Sequence, residues 1–526
     1  MMRFVCGKRE VFNLIDAKRI TASLLVALAL LTGWSRRASA QAGFDDDRVM
    51  LQGFYWESYR HGHPNQSGQD PNKVWYDIVQ AQAGAIADAR FDLIWLPPPS
   101  WAGPTSAGYN PKEYFRLDNS YGSQKQHRSM LEALLKKGVE PIADIVINHR
   151  DGSQGWADFK NPDWGPWAIC EDDEAFSHPE SGVAGVPKEQ RGRCEELVGY
   201  VAFGAKSYGY SDFRDIAHTD SRVRQDVIRY LLQLQSLGYR GWRYDMVHGY
   251  HAKWIACYNA ATSPVFSVGE FDWGAHQQQR GWIWNTSTRP DTMGNDHLKT
   301  ASSVFDFTTF FGLKQIINGS RYTDLYGYGL GIGMVGDSTD GLPWKDRAVT
   351  FIENQDTGFR TNDDGTPQPN NKFDSFANGW QAEQAYAHIL THPGVPTVFW
   401  KHYFDWGSDL RAKIKALINA RKVAGVHSGS VVHLQDNAKA AGVYAAEIEG
   451  SRGKLYVRIG GNDDSWQPTK SGYKDYRVYA EGAGWKVWVA LPGNPAFKQA
   501  GHRPALSLPT YKEAAQIKVP DIALCH

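Results

Sequence analysis

The sequence has no surplus of charge of either sign: Lys+Arg and Asp+Glu both number 57 in 526 residues. A protein that holds nucleic acid or an anionic membrane favours a basic surface, so neither partner is expected. A membrane-length apolar run is also missing. The stretch Leu24 to Leu31 is too short to cross a bilayer as a helix. It follows Lys8, Arg9, Lys18 and Arg19 and precedes Ala38-Ser39-Ala40, a small-residue cleavage site before Gln41. Residues 1–40 therefore read as a secretion signal, and the mature chain is expected outside the cytoplasm, extracellular or periplasmic. Cysteine is scarce, with five copies. Cys6 falls in the leader, Cys170 and Cys194 share one loop-rich segment and are the best candidate pair, and spacing leaves Cys257 and Cys525 free or paired. No glycine-rich phosphate loop follows the first strand-like run. What is abundant is tryptophan, with 20 copies. Indole faces suit sugar rings, but most of these residues are expected simply to fill the core.

A chain of this length can bury a large core in two or three domains. From Val49 a strand–helix rhythm runs through it. Strands are expected at Val49–Trp56, Phe91–Leu96, Pro141–Ile147, Gly241–Asp245, Val265–Gly269, Ser303–Phe307, Ala348–Glu353 and Val395–Trp400. Helical spacing of apolar residues marks Asn72–Ala89 and His127–Lys137, a helix begun near Asp220 or Ser221, and Asp409–Arg421. Near-continuous apolar strands belong to a parallel sheet covered on both faces. Eight such units predict an α/β fold, a closed (β/α)8 TIM barrel rather than an open sheet.

The rhythm breaks once, over 149–210, in a segment rich in Gly, Pro, Trp and charge that is too long for an ordinary loop. After Lys422 the pattern changes to short strands without helices: 442–448, 454–459, 476–480 and 485–491, a small antiparallel β-domain. The expected organisation is therefore leader 1–40, barrel 41–148, insert 149–210, barrel 211–421, β-domain 422–491, and a tail 492–526 that is a strand extension or a flexible end.

Three carboxylates end three different barrel strands: Asp245, Glu270 and Asp356. A barrel gathers such tips at one face. Glycoside hydrolysis needs this set: one carboxyl protonates the leaving oxygen, another attacks or activates water, and negative charge stabilises the oxocarbenium ion. Crowding keeps one of them protonated. Arg243, two residues before Asp245, points to the same side of its strand and is expected to keep Asp245 ionised. Any one acid alone is more often a cap or a surface charge; the combination reverses that weighting.

These residues resemble the α-amylase family of glycoside hydrolases, closest to the plant-type and related bacterial members, over about Arg48 to Leu491. The runs Asp144–His149, Gly241–Asp245, Gly269-Glu270 and Phe351–Asp356 are similar to its four conserved regions, and Gly108–Pro111 and His392–Pro396 to further family segments. The resemblance implies a retaining, endo-acting hydrolase of α-1,4-glucans such as starch, with Asp245 as nucleophile, Glu270 as general acid/base and Asp356 as transition-state stabiliser. It implies that Arg243 orients the nucleophile, that His149 bonds the sugar at the cleavage subsite, and that Tyr109 stacks beneath it. The insert then corresponds to a B domain and the β-domain to a C domain. A structural Ca²⁺ is implied between barrel and insert, with Asn148, Asp215 and the Gly249 carbonyl as ligands; Asp163, Asp172 and Asp173 are candidates from the insert. An oxygen-only set suits Ca²⁺. The partner implied is an α-glucan, and the protein is expected to be a monomer.

Two residues depart from the family pattern. Gln355 stands where the family usually has His, and His248 where plant-type relatives usually have Lys. Both positions contact substrate in the family, so efficiency and product pattern are in question more than reaction class. A weakly catalytic glucan-binding relative, or one with transglycosylase or other α-glucosidic specificity, is the alternative.

Overall fold

The computed structural model describes residues 44–63, 70–195, 213–272, 276–328, 333–336, 340–358, 360, 376, 378–462, 465–468, 476–492 and 502–526. The expected leader 1–40, part of the expected insert (196–210) and part of the tail (493–501) lie outside the described residues.

Strands β1 (Met50–Gln52), β2 (Leu93–Leu96) and β3 (Glu140–Ile145) come first. An excursion follows that holds the antiparallel pair β4 (His149–Arg150) and β5 (Arg214–Asp215). The strand series then resumes with β6 (Gly241–Tyr244), β7 (Ser267–Gly269), β8 (Ser303–Phe305), β9 (Ala348–Thr350) and β10 (Val395–Phe399). Apart from β4 and β5, these strands pair in parallel in the order β1-β10-β9-β8-β7-β6-β3-β2. The ring closes because Met50 pairs both with Leu93 and with Thr397. Every residue of these eight strands is buried, as a parallel sheet sheathed by helices requires. The expected TIM barrel is thus the observed one, with each strand shorter than the apolar run that announced it.

Local chemistry sets the helix ends. The helix expected from His127 starts earlier, at Gln124, because Ser123 and Gln126 form a capping box. Asp220 caps the helix Ser221–Leu237 by accepting from the Arg222 N–H. The last barrel helix, Ser408–Ala424, runs past the expected Arg421 and stops at Gly425, which takes φ +75°.

The C-terminal sheet has five antiparallel strands: β11 (Val432–Leu434), β12 (Tyr444–Glu449), β13 (Lys454–Ile459), β14 (Arg477–Gly482) and β15 (Trp485–Ala490), in the order β11-β12-β13-β15-β14. The three-residue β11 was not among the expected strands; it is too short to show a period. Leu455, Val457 and Ile459 of β13 join the main core, whereas Tyr456 on the opposite face packs with Trp466 and Trp488.

The tail is neither a strand nor an undocked end where it is described. Residues 502–526 run irregularly over the barrel helices. Leu506 N–H donates to the Leu135 carbonyl at 2.8 Å, Arg128 donates to the Pro509 carbonyl at 2.7 Å, and Gln233 donates to the Tyr511 hydroxyl at 3.0 Å. Bonds to the barrel helices, not a strand or helix period of its own, hold part of its backbone. Cys525 is bridged to Cys257, and Cys170 to Cys194. Among the described residues no helix is long and apolar enough to cross a membrane.

Candidate active site

Asp245 and Glu270 each sit one step past a strand and are fixed by backbone bonds across the ring, whereas Asp356, expected at a strand end, lies in the loop beyond β9, which stops at Thr350. Asp245 N–H donates to the Ile145 carbonyl at the end of β3 (3.0 Å), and Glu270 N–H to the Tyr244 carbonyl at the end of β6 (2.9 Å). Gly269, just before Glu270, has no room for a side chain: a Cβ there would lie 2.3 Å from the Trp282 ring. Asp356 stands on a turn in which the Asn354 side-chain oxygen accepts from the N–H groups of Asp356 (2.9 Å) and Thr357 (3.0 Å).

The three acids line one cleft of about 410 Å³ together with Tyr109, His149 and His248. Arg243 and Gln355 lie buried beside it. The eight side chains singled out from the sequence for chemistry or sugar contact are therefore brought to one place. Four residues were missed. Asp144, at the upper end of β3, is fully buried and accepts from Trp95 Nε1 (3.0 Å), the Tyr109 hydroxyl (2.8 Å) and Arg243 (2.6 Å). A lone acid inside the apolar run Ile142–Ile147 was its signal. Trp56 stacks on Tyr109 with ring centroids 5.7 Å apart and planes at 1°. Asp272 faces His248 Nδ1 at 3.0 Å. Arg360 pairs with Asp356 and lies 3.9 Å over the Trp56 ring; no local pattern marked any of the last three.

Arg243 is the electrostatic hub. Its guanidinium reaches Asp144 and Asp245 at 2.6 Å and Glu270 at 2.7 Å. Burial pulls this guanidinium toward neutrality, but the three acids outweigh burial and hold it charged. One positive charge is shared among three carboxyls, and burial exceeds its effect on each of them. Burial pushes Asp144 up to about 6 and Asp245 up to about 7, with Arg243 opposing in both cases. Burial raises Glu270 well above the ordinary glutamate range, again against Arg243, with Asp245, Asp356 and Asp272 adding to the rise. The expectation that Arg243 keeps Asp245 ionised is thus corrected: the arginine alone does not outweigh burial. A hydrogen bond with Glu270 also lowers Asp245. With Glu270 raised by burial and by its acidic neighbours, and Asp245 lowered by its hydrogen bond to Glu270, a proton on Glu270 leaves Asp245 the better placed to carry charge.

His149 donates from Nε2 to the Tyr109 carbonyl at 2.7 Å, and burial lowers its imidazole to about 4, so it is a neutral group in the cleft wall. Gln355 donates from Nε2 to Asp356 Oδ2 at 2.6 Å and accepts from Gln52 Nε2 at 2.6 Å.

Of the expected metal ligands, Asn148 and Asp215 are adjacent across β4 and β5: Asp215 pairs with His149, and Ile216 N–H donates to the Asn148 carbonyl at 3.0 Å. Both are buried, and Asn148 Oδ1 has no hydrogen-bond partner among the described residues. An orphaned buried oxygen beside a carboxylate fits a hard cation. Gly249 closes the turn Val247–Gly249. From the insert, Asp173 is already engaged, with Oδ1 on Arg214 at 2.6 Å and Oδ2 on the Asp215 N–H at 2.8 Å. Asp163 pairs with Lys160 at 3.9 Å at the surface.

Comparison with known proteins bears on this arrangement. The family model of the α-amylase catalytic domain matches residues 85–262, and that of the α-amylase C-terminal β-sheet domain matches residues 423–489. The chain is 30% identical over 453 residues to a probable α-amylase 2 of Arabidopsis thaliana, covering 84% of this chain and 94% of the relative. It is 31% identical over 470 residues to the chloroplastic α-amylase 3 of the same plant, covering 85% of this chain and 44% of that larger protein. A glucan 1,4-alpha-maltotetraohydrolase of Stutzerimonas stutzeri is 27% identical over 505 residues, 92% of this chain and 80% of the relative. Among solved structures, an α-amylase of Geobacillus thermoleovorans complexed with acarbose aligns with a TM-score of 0.56 at 14% identity, covering 85% of this chain and 99% of that one, a likeness of fold alone.

Proposed function

The chain belongs to the α-amylase family of glycoside hydrolases, and from that premise we propose that it is a secreted, retaining, endo-acting enzyme that cleaves α-1,4-glucosidic bonds in starch and maltooligosaccharides. The family makes it a hydrolase of α-1,4-glucan; the finer reading rests on the site. The observation that carries it is the cleft in which Asp245, Glu270 and Asp356 meet around one buried guanidinium. Asp245 attacks the anomeric carbon while Glu270 passes its proton to the leaving glycosidic oxygen. Glu270, now ionised, takes a proton from a water whose oxygen bonds to the anomeric carbon as the bond to Asp245 breaks, which restores both carboxyls. Asp356 supplies negative charge opposite the oxocarbenium ion. Trp56 and Tyr109 offer stacked faces to a sugar ring, and His149 a neutral hydrogen-bonding edge.

Ca²⁺, if held as in the family, would take Asn148 Oδ1, Asp215 and the Gly249 carbonyl and would tie the excursion at β4–β5 to the barrel. Its chemistry there is structural. A chelator should therefore lower Tm by several degrees; a Tm unmoved by chelation argues against the site. The two disulfides support an oxidising compartment and thus the secretion reading.

The deciding experiment is release of reducing sugar from soluble starch. Wild type should be active, and Glu270→Gln should lose about 10²–10⁴-fold in kcat, the usual worth of general acid–base catalysis. Maltooligosaccharide binding without turnover would instead make the chain a glucan-binding relative. Resemblance to a maltotetraohydrolase favours one second reading, a fixed-length product, and a product profile on starch separates it from endo cleavage. Sucrose and trehalose as comparison substrates expose transglycosylase or other α-glucosidic specificity.

A further inference from the structure

Gln52 closes β1, and its side chain is buried completely. It lies 303 residues from Gln355, yet its Nε2 donates to Gln355 Oε1 at 2.6 Å. Gln355 Nε2 in turn donates to Asp356 Oδ2 at 2.6 Å. The direction of this chain is dictated from the Asp356 end. A carboxylate only accepts, so the Gln355 amide must present its nitrogen to Asp356. Its oxygen then faces Gln52, which must answer with its own nitrogen. That leaves Gln52 Oε1 buried with no partner among the described residues. A side chain kept only to fill space would be apolar, because an orphaned buried amide oxygen is costly. The cost falls on the residue farthest from the cleft, at the end of a chain that terminates on a cleft carboxylate.

The second oxygen of Asp356 pairs with Arg360, whose Nε donates to the Gln355 carbonyl at 2.9 Å. Arg360 thus holds one oxygen of a half-exposed carboxylate, and the buried Gln355 holds the other. We propose that Gln52 is a positioning residue that acts through Gln355 to aim Asp356 into the cleft. The support is made of two amides, so it does not change protonation between acid and neutral pH. This rests on the hydrolase reading above and adds to it a residue that touches no substrate.

The test is a double-mutant cycle on soluble starch, with Gln52→Met, Gln355→Met and the pair. Gln52→Met should lower kcat about tenfold with KM within about twofold, in line with one lost hydrogen bond in a chain to a charged group. In the Gln355→Met background the same change should have no further effect. Equal losses in both backgrounds, or a change in KM alone, overturn the proposal. Gln52→Glu keeps the shape and serves if Gln52→Met does not fold. Its introduced carboxyl can donate to Gln355 only while protonated, so kcat should stay near wild type at acid pH and fall as that carboxyl ionises. A pH profile parallel to wild type overturns the proposal. Wild type that releases no sugar sinks the hydrolase reading together with this one; active wild type with an unaffected cycle sinks the positioning role alone.

Discussion

Asp144, Asp245 and Glu270 compete for the single charge of Arg243, and the outcome of that competition sets the protonation states the chemistry needs. Asp144 raises Asp245 by like-charge repulsion and takes part of the guanidinium. Asp144→Asn removes that repulsion and leaves more of Arg243 to Asp245, so the Asp245 pKa should fall. The acid limb of the kcat/KM profile should then move to lower pH by about half to one unit. The maximal rate should also drop, because the Tyr109 hydroxyl loses its carboxylate acceptor. An acid limb that stays in place or moves upward would show that Asp144 does not tune the nucleophile. At this scale Asp245 and Glu270 were legible as acids closing strands, and Asp356 as an acid soon after one, although it stands on a turn. The sharing of Arg243 was not, since nothing in a linear pattern says how many partners one guanidinium has.

At the scale of elements, the seam between the helix Gly379–Ile389 and the C-terminal sheet holds an acid-sensitive contact. His388 and His392 stack with centroids 3.9 Å apart, and His392 Nε2 meets the Tyr444 hydroxyl of β12 at 2.7 Å. Both ring nitrogens of His388 are buried without hydrogen-bond partners among the described residues. Burial lowers His388 well below 6.5 and His392 to about 4. A histidine held neutral in the fold stabilises it fully above its unfolded pKa of about 6.5 and loses that contribution as pH falls toward the folded value. For His388 the loss therefore begins at about pH 6.5 and continues as pH falls below it. His388→Met should match wild type at pH 7 within about 1 kcal/mol and gain on it steadily over that fall, read as Tm against pH. A constant difference from pH 7 to 4 would refute this. The strands β12, β13, β14 and β15 were announced by their apolar runs, whereas β11 and the start of the helix at Gln124 depended on a pairing partner and on a capping box.

For the whole molecule, the bridge from Cys257 to Cys525 joins a barrel helix to the far end of the chain across 268 residues. Closing so long a loop removes freedom from the unfolded chain, and such bridges are commonly worth about 2–4 kcal/mol. Cys525→Ala should lower stability by about that amount and make the tail sensitive to protease, with activity on starch retained because the bridge is remote from the cleft. Unchanged denaturant unfolding would mean that the backbone bonds of residues 502–526 to the barrel helices hold the tail unaided. Composition left this pairing open, since spacing carries no information on which cysteines meet.

The sequence by itself determined the strand–helix rhythm, the number of barrel strands, the change to an antiparallel domain and the acids at the strand tips. These are periodic or local properties, set by which residues alternate and what stands beside them. Only the tertiary structure decided which distant groups meet: Asp144 and Arg243, and Gln52 and Gln355, through hydrogen bonds, Trp56 and Tyr109 through a ring stack, Cys257 and Cys525 through a disulfide. Asp144 meets Arg243 because β3 pairs with β6, Cys525 meets Cys257 where the tail docks, and Gln52 meets Gln355 because β1 closes the ring against β10 and β2. Ring closure brings residues hundreds of positions apart to within hydrogen-bonding distance, and no local pattern records that distance.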